Sequence, residues 1–141
     1  RSPLTNSLVF SSKKAKGKSM KNDLQQRLFS FAVRVFNFLK TLPNSPEYSV
    51  VRYQLAKSAT SSGANYEEGQ AASSKPDFIY KNEISLREIR ESNYWLRLLN
   101  ATDTTKKLNQ EELDFLVNES EELKKILGSI VSKSKLNTET K

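Results

Sequence analysis

Leu24, Leu28, Ala32, Val35, Leu39 and Leu42 recur at steps of three and four residues, the spacing that lines up side chains on one face of a helix. The pattern predicts a first helix over residues 21–42. Phe29, Phe31, Phe36 and Phe38 widen its apolar surface beyond one stripe. This helix is therefore expected to face more than one neighbour, the second being either the protein's own core or another subunit. Pro43, Asn44, Ser45 and Pro46 interrupt the pattern, because proline cannot continue a helix and disfavours helical geometry in the residue before it. Ser45 is placed to cap a second helix with Pro46 at its first position, running to about Ala72.

Ser74, Pro76 and Asp77 restart the chain in the same way, a capping oxygen followed by a carboxylate beside the positive helix end. The third helix is expected to reach about Asn100. Asn109 with Glu112 forms another capping signature ahead of Leu113, Leu116, Val117, Ser120, Leu123, Leu127 and Ile130. This predicts a fourth helix ending near Val131 and a polar tail over residues 133–141. The rods are about 30–40 Å long. Joined by short turns, they can only run up-down-up-down, an all-α antiparallel four-helix bundle spanning residues 20–132.

Composition agrees: Gly and Pro are scarce, four of each in 141 residues, as suits long helices joined by few turns. Cysteine and histidine are both absent. That removes disulfides, thiolate nucleophiles, Cys/His metal sites and imidazole acid–base chemistry. No apolar run approaches the roughly 18 residues of a spanning helix. The expectation is a cytoplasmic, non-enzymatic protein with no membrane, cofactor or small-molecule substrate.

The net charge of +7 is unevenly placed. Arg1, Lys13, Lys14, Lys16 and Lys18 lie in residues 1–19, which hold no acid, so the remainder is close to neutral. That Ser- and Lys-rich leader lacks the periodic apolar content of a buried element and is expected to be a flexible arm. Met20, the single methionine, is a candidate start, the leader then coming from upstream or foreign sequence. Gly17-Lys18-Ser19 resembles the end of a phosphate-binding loop, but position 12 is Ser and no strand precedes it.

The second helix is polar where a core helix is normally apolar: Ser58, Ser61, Ser62, Asn65, Glu68 and Gly69 follow helical spacing. Ala59, Gly63 and Ala64 keep it thin, and a mid-helix glycine, about 1 kcal/mol worse than alanine, points to close packing. On the third helix Ile84, Glu88, Glu91, Trp95 and Leu98 share a face. Carboxylates among large apolar groups need donors, available from the second helix or from Arg87, Arg90 and Arg97. A satisfied polar network setting helix register or subunit contacts is the expected role. Glu67, Glu68, Glu88 and Glu91 look at first like the carboxylates of a di-iron bundle, but such sites also need Glu-x-x-His pairs. Nothing marks a glycosidase cleft, and Asn118-Glu119-Ser120 is a glycosylation match by composition only.

Charge also separates by helix. The first carries Lys21, Arg27, Arg34 and Lys40 against Asp23, whereas the fourth carries Glu111, Glu112, Asp114, Glu119, Glu121 and Glu122 against Lys124 and Lys125. Arg27, Arg34, Arg87 and Arg90 are candidate phosphate contacts, the competing reading being a basic helix paired with an acidic neighbour.

Taken together, Gln54-Leu55-Ala56-Lys57-Ser58-Ala59, Ser62-Gly63-Ala64-Asn65-Tyr66-Glu67-Glu68-Gly69, Lys75-Pro76-Asp77-Phe78-Ile79 and Glu91-Ser92-Asn93-Tyr94-Trp95-Leu96 resemble one family. It is the four-helix bundle family encoded in intervening sequences of bacterial 23S ribosomal RNA genes, and the resemblance covers about residues 24–130. It implies an up-down bundle assembled as a ring-like homopentamer, without known enzymatic activity. The family's relatives include the accessory protein of diversity-generating retroelements, which binds a reverse transcriptase and nucleic acid through a basic surface; this bundle is nearly neutral. Ser58, Asn65, Glu68, Gly69, Glu91, Tyr94, Trp95 and Leu96 match the family pattern and carry structural and assembly roles by that resemblance. The leading expectation is a homo-oligomeric scaffold or adaptor binding RNA or a nucleic-acid enzyme; the rival is a purely protein–protein adaptor.

Overall fold

The structure, a computed structural model, describes the backbone of residues 20–139 and the side chains of residues 23–137. The leader of residues 1–19, with its basic cluster and Gly17-Lys18-Ser19, lies outside the described residues, as do residues 140 and 141 of the polar tail. Four helices follow one another: α1 (Met20–Leu39), α2 (Pro46–Gln70), α3 (Lys75–Thr102) and α4 (Gln110–Glu139). Each packs on its chain neighbours, and α1 also packs on α4.

The pairing of side chains gives the direction of each helix. Gly63 lies against Leu28 and Arg52 against Leu39, Ser58 meets Ser92 and Ser62 meets Ser85, Asn93 meets Ser120 and Glu83 meets Lys135, and Arg27 and Arg34 meet Glu119 and Glu112. In every pair one residue number rises as the other falls. All four contacts are therefore antiparallel, the arrangement that short connections demand. Among the described residues no helix is long and apolar enough to cross a membrane.

The core stripe of α1 is Leu24, Leu28, Phe31, Val35, Phe38 and Leu39, with Leu42 buried just beyond the helix end. Phe31 and Phe38 occupy positions in phase with the leucines, and Ala32 lies at the half-buried flank. The helix stops three residues before the expected Leu42. Its last carbonyls accept shorter-range bonds, Thr41 N–H to Phe38 O and Leu42 N–H to Leu39 O, and Arg52 of α2 donates to the oxygens of Leu39, Leu42 and Pro43. A side chain from the next helix thus satisfies groups that a helix end leaves open.

Two of the three expected caps form. Ser74 Oγ accepts from Asp77 N–H at 3.2 Å, and Asn109 Oδ1 accepts from Glu112 N–H at 3.1 Å. Ser45 has the extended backbone of a capping residue, but its side chain makes no capping bond and its buried Oγ has no protein partner. Proline at the helix start sets the backbone there without help from the hydroxyl. At the far end α4 continues past Val131 to Glu139. The segment expected as a polar tail contains no Gly or Pro to stop it, and Lys135 pairs with Glu83 of α3.

Candidate functional site

Helices α2 and α3 are joined by small polar side chains. Ser58 Oγ and Ser92 Oγ lie 2.7 Å apart, both buried, and Ser85 Oγ donates to the Ser62 carbonyl at 2.7 Å. Ser62 Oγ returns its own proton to Ala59 O at 2.9 Å. On the other flank of α3, Asn93 Nδ2 donates to Ser120 Oγ of α4 at 2.9 Å. Buried hydroxyls with partners cost little, and their small size lets two backbones approach. At Gly69 the fit is tight: an added Cβ would sit 3.0 Å from Lys81 Cβ and 3.2 Å from Asn82 Nδ2. At Gly63 it would meet Leu28 at an ordinary 3.6 Å.

The predicted members of this network separate into two groups. Ser58 and Ser62 form the seam, and Gly69 permits it. Asn65 bonds within its own helix to Ser61, and Glu68 makes an ion pair of 2.7 Å with Lys81 near the surface. Glu88 and Glu91 lie at the half-buried edge of α3, outside the seam. Glu91 accepts from Trp95 Nε1 at 3.0 Å, so its donor comes from its own helix rather than from α2 hydroxyls or arginines. Burial, and then the like charge of Glu91, push the Glu88 carboxyl up, against the pull of Arg87 and Lys57. Tyr94 is exposed and meets the Trp95 ring edge-on at 5.2 Å.

Ser85 and Ser92 complete the seam, and Asn93 joins α3 to α4 through Ser120, a position the α4 stripe already includes. The signal was present: Asn82, Ser85, Ile89, Ser92, Leu96 and Leu99 advance by threes and fours, so serine and asparagine occupy core positions of α3. Among the described residues no three His, Cys, Asp or Glu side chains gather as metal ligands.

Of the four candidate phosphate contacts, two are occupied by protein. Arg27 grips Glu119 with two bonds of 2.8 and 2.9 Å and reaches Glu122 at 2.8 Å. Arg34 grips Glu112 at 2.7 and 2.9 Å with its guanidinium 3.6 Å over the Phe115 ring. The hydrogen bond to Glu119, opposed by burial, holds the Arg27 guanidinium above its ordinary range. The basic face of α1 and the acidic face of α4 thus neutralise one another. Arg87 and Arg90 are exposed on α3, and among the described residues neither makes an ion pair.

The phenylalanines of α1 also divide. Phe31 and Phe38 are core, whereas Phe29 and Phe36 are 60% and 46% exposed with Val33 between them at 44%. Positions 29, 33 and 36 share one face, directed away from the core stripe.

Residues 20–129 match the family described as 23S rRNA-intervening sequence protein. Among solved structures, the chain is similar to a protein of unknown function from the S23 ribosomal protein family of Bacteroides thetaiotaomicron VPI-5482. The identity is 38% and the TM-score 0.67, over 77% of this chain and 97% of that one. No protein of curated function matches the chain.

Proposed function

Because the chain belongs to the 23S rRNA-intervening sequence protein family, we propose that it is a non-catalytic cytoplasmic scaffold that works as a homo-oligomer, a ring of five by the resemblance, and presents surfaces to RNA or to a nucleic-acid-processing protein. The observation that carries this reading is the apolar face of α1. Phe29, Val33 and Phe36 stand in water in a single chain, and contiguous exposed apolar residues mark interaction sites. Covering them with a second copy gains about 25 cal/mol per Å² removed from water. The α2–α3 seam, whose hydroxyls fix the register of two helices, supplies the rigid body on which such a face is held.

A purely protein–protein adaptor is the second reading. It is favoured by the ion pairs of Arg27 and Arg34, which leave those cations no net charge to offer a phosphate. The double substitution Phe29→Glu with Phe36→Glu, followed by sedimentation and circular dichroism, tests the assembly face. The expected outcome is a monomer with unchanged helix content, since both side chains are exposed. An assembly of wild-type mass would place the contact elsewhere.

A further inference from the structure

The exposed side of α3 differs from that of α1 in kind. Tyr80 and Tyr94 are its exposed large hydrophobics, at 56% and 50%, and the exposed Arg87, Arg90 and Arg97 are interleaved with them. Residues 80, 87 and 94 repeat at seven-residue steps, as do 90 and 97, so they form two adjacent columns on one side of the helix. At 1.5 Å per residue the two tyrosines are about 21 Å apart along the axis, with Arg87 midway.

Most carboxylates bordering this side are engaged. Glu83 pairs with Lys135, which brings a further cation to the same region, and Glu91 accepts from Trp95. Glu121 is bonded to Lys124 and also feels the charge of Arg97, while Glu88 feels Glu91 on one hand and Arg87 and Lys57 on the other without pairing with any of them. Arg97 donates to Asn93 Oδ1 at 2.8 Å and lies 5.9 Å from the Tyr94 ring centroid, so it keeps its charge beside an aromatic face. Arg87 and Arg90 make no ion pair among the described residues. A protein interface gains most from buried apolar area, and α3 exposes no large aliphatic side chain for that purpose. Cations with rings between them instead match a chain of phosphates carrying unstacked bases.

We propose that the Tyr80–Arg87–Arg90–Tyr94–Arg97 side of α3 binds single-stranded RNA, with the arginines on phosphates and the tyrosines stacking bases. This names the ligand and the surface for the scaffold reading above, and rests on it. A stacking surface requires splayed bases, so the site prefers single strands to duplex.

The test is fluorescence anisotropy of the full chain with a labelled, unstructured oligoribonucleotide, across a salt series beginning at about 50 mM. Oligomeric mass is measured in the same samples. Tyr80→Ala with Tyr94→Ala is expected to weaken binding by tenfold or more without changing the salt dependence, as loss of stacking does. Arg87→Gln with Arg90→Gln is expected to weaken it and to flatten the log–log salt slope by about 1.4, two single-strand phosphate contacts. All four substituted side chains are exposed, and circular dichroism checks their folding. No binding by wild type at about 50 mM salt overturns the proposal and returns this face to a protein partner. Binding unaffected by the arginine pair overturns it too, assigning affinity to cations elsewhere, those of residues 1–19 included. Equal affinity for duplex, with the tyrosine variant unchanged, overturns the single-strand assignment. An assembled protein that ignores the oligonucleotide removes this inference alone; a monomer that binds it removes the assembly reading alone.

Discussion

Ser58 and Ser92 each have a hydroxyl removed from water whose cross-helix partner is the other. Deleting the Ser58 oxygen strands the Ser92 hydroxyl, and leaving a buried polar group unsatisfied costs about 1–3 kcal/mol, whereas Ser58 keeps the Leu55 carbonyl 3.4 Å away when Ser92 is changed. Ser58→Ala is expected to lose stability in that range and Ser92→Ala less, while the double variant loses less than the sum. A double-mutant cycle in urea measures it, and strict additivity would show that the two hydroxyls are not coupled. Glu91→Ala should cost less than either, because Glu91 is half exposed and holds one donor from its own helix. Asp103 is the residue-scale source of pH dependence. Burial pushes its carboxyl up, but amide donors from Leu108 and Lys107, the Gln110 side chain and the charge of Lys106 outweigh burial and hold it below the usual carboxylate range. A depressed acid stabilises the fold above its unfolded value and loses that contribution as pH falls through its folded value. Asp103→Asn should therefore lower the melting temperature at pH 7, and the difference from wild type should shrink as pH falls below the ordinary carboxylate range. An offset that stays constant with falling pH would mean that charge plays no part. The caps at Ser74 and Asn109 were legible because donor and acceptor lie three residues apart. Arg52 and Asp103 were not, because their partners lie across a turn or loop whose path no local pattern specifies.

Glycine shows how helix packing decides the sign of a substitution. Gly128 has open space around its missing Cβ, so Gly128→Ala should gain about 0.5–1 kcal/mol, the helix-propensity difference. At Gly69 the same change drives a methyl against Lys81 Cβ and Asn82, and the expected outcome is a lower melting temperature with α2 and α3 pushed apart. Thermal unfolding of the pair checks both; equal effects would mean that α2 and α3 have room to spare at Gly69. The existence and order of all four helices were readable from periodicity, and their boundaries less so. The apolar stripe of α4 fades after Val131 while its Ser, Lys and Leu residues continue the helix, since packing pattern and helix-forming capacity are separate properties of a sequence. On α1 four phenylalanines announced excess apolar surface. Only phase against Leu24, Leu28 and Val35 tells which two are core.

At the scale of the bundle, exposed charge and exposed apolar surface fall on different helices among the described residues. The separation of charge by helix suggested a basic face on α1, but Arg27 and Arg34 close the α1–α4 contact against Glu112, Glu119 and Glu122. Such partly exposed pairs contribute modestly and are screened by salt. Their consequence is that α1 presents its exposed apolar face outward while, among the described residues, α3 carries exposed arginines without an ion pair. The sequence showed two-sided charge between helices; which cations remained available depended on the antiparallel packing that brings α1 beside α4. Self-assembly is the claim on which the scaffold reading stands, and native mass at micromolar concentration in moderate salt addresses it most directly. A single species of about five times the monomer mass is expected, unchanged as salt is raised, because an apolar interface is insensitive to screening. A monomer across the micromolar range would contradict it.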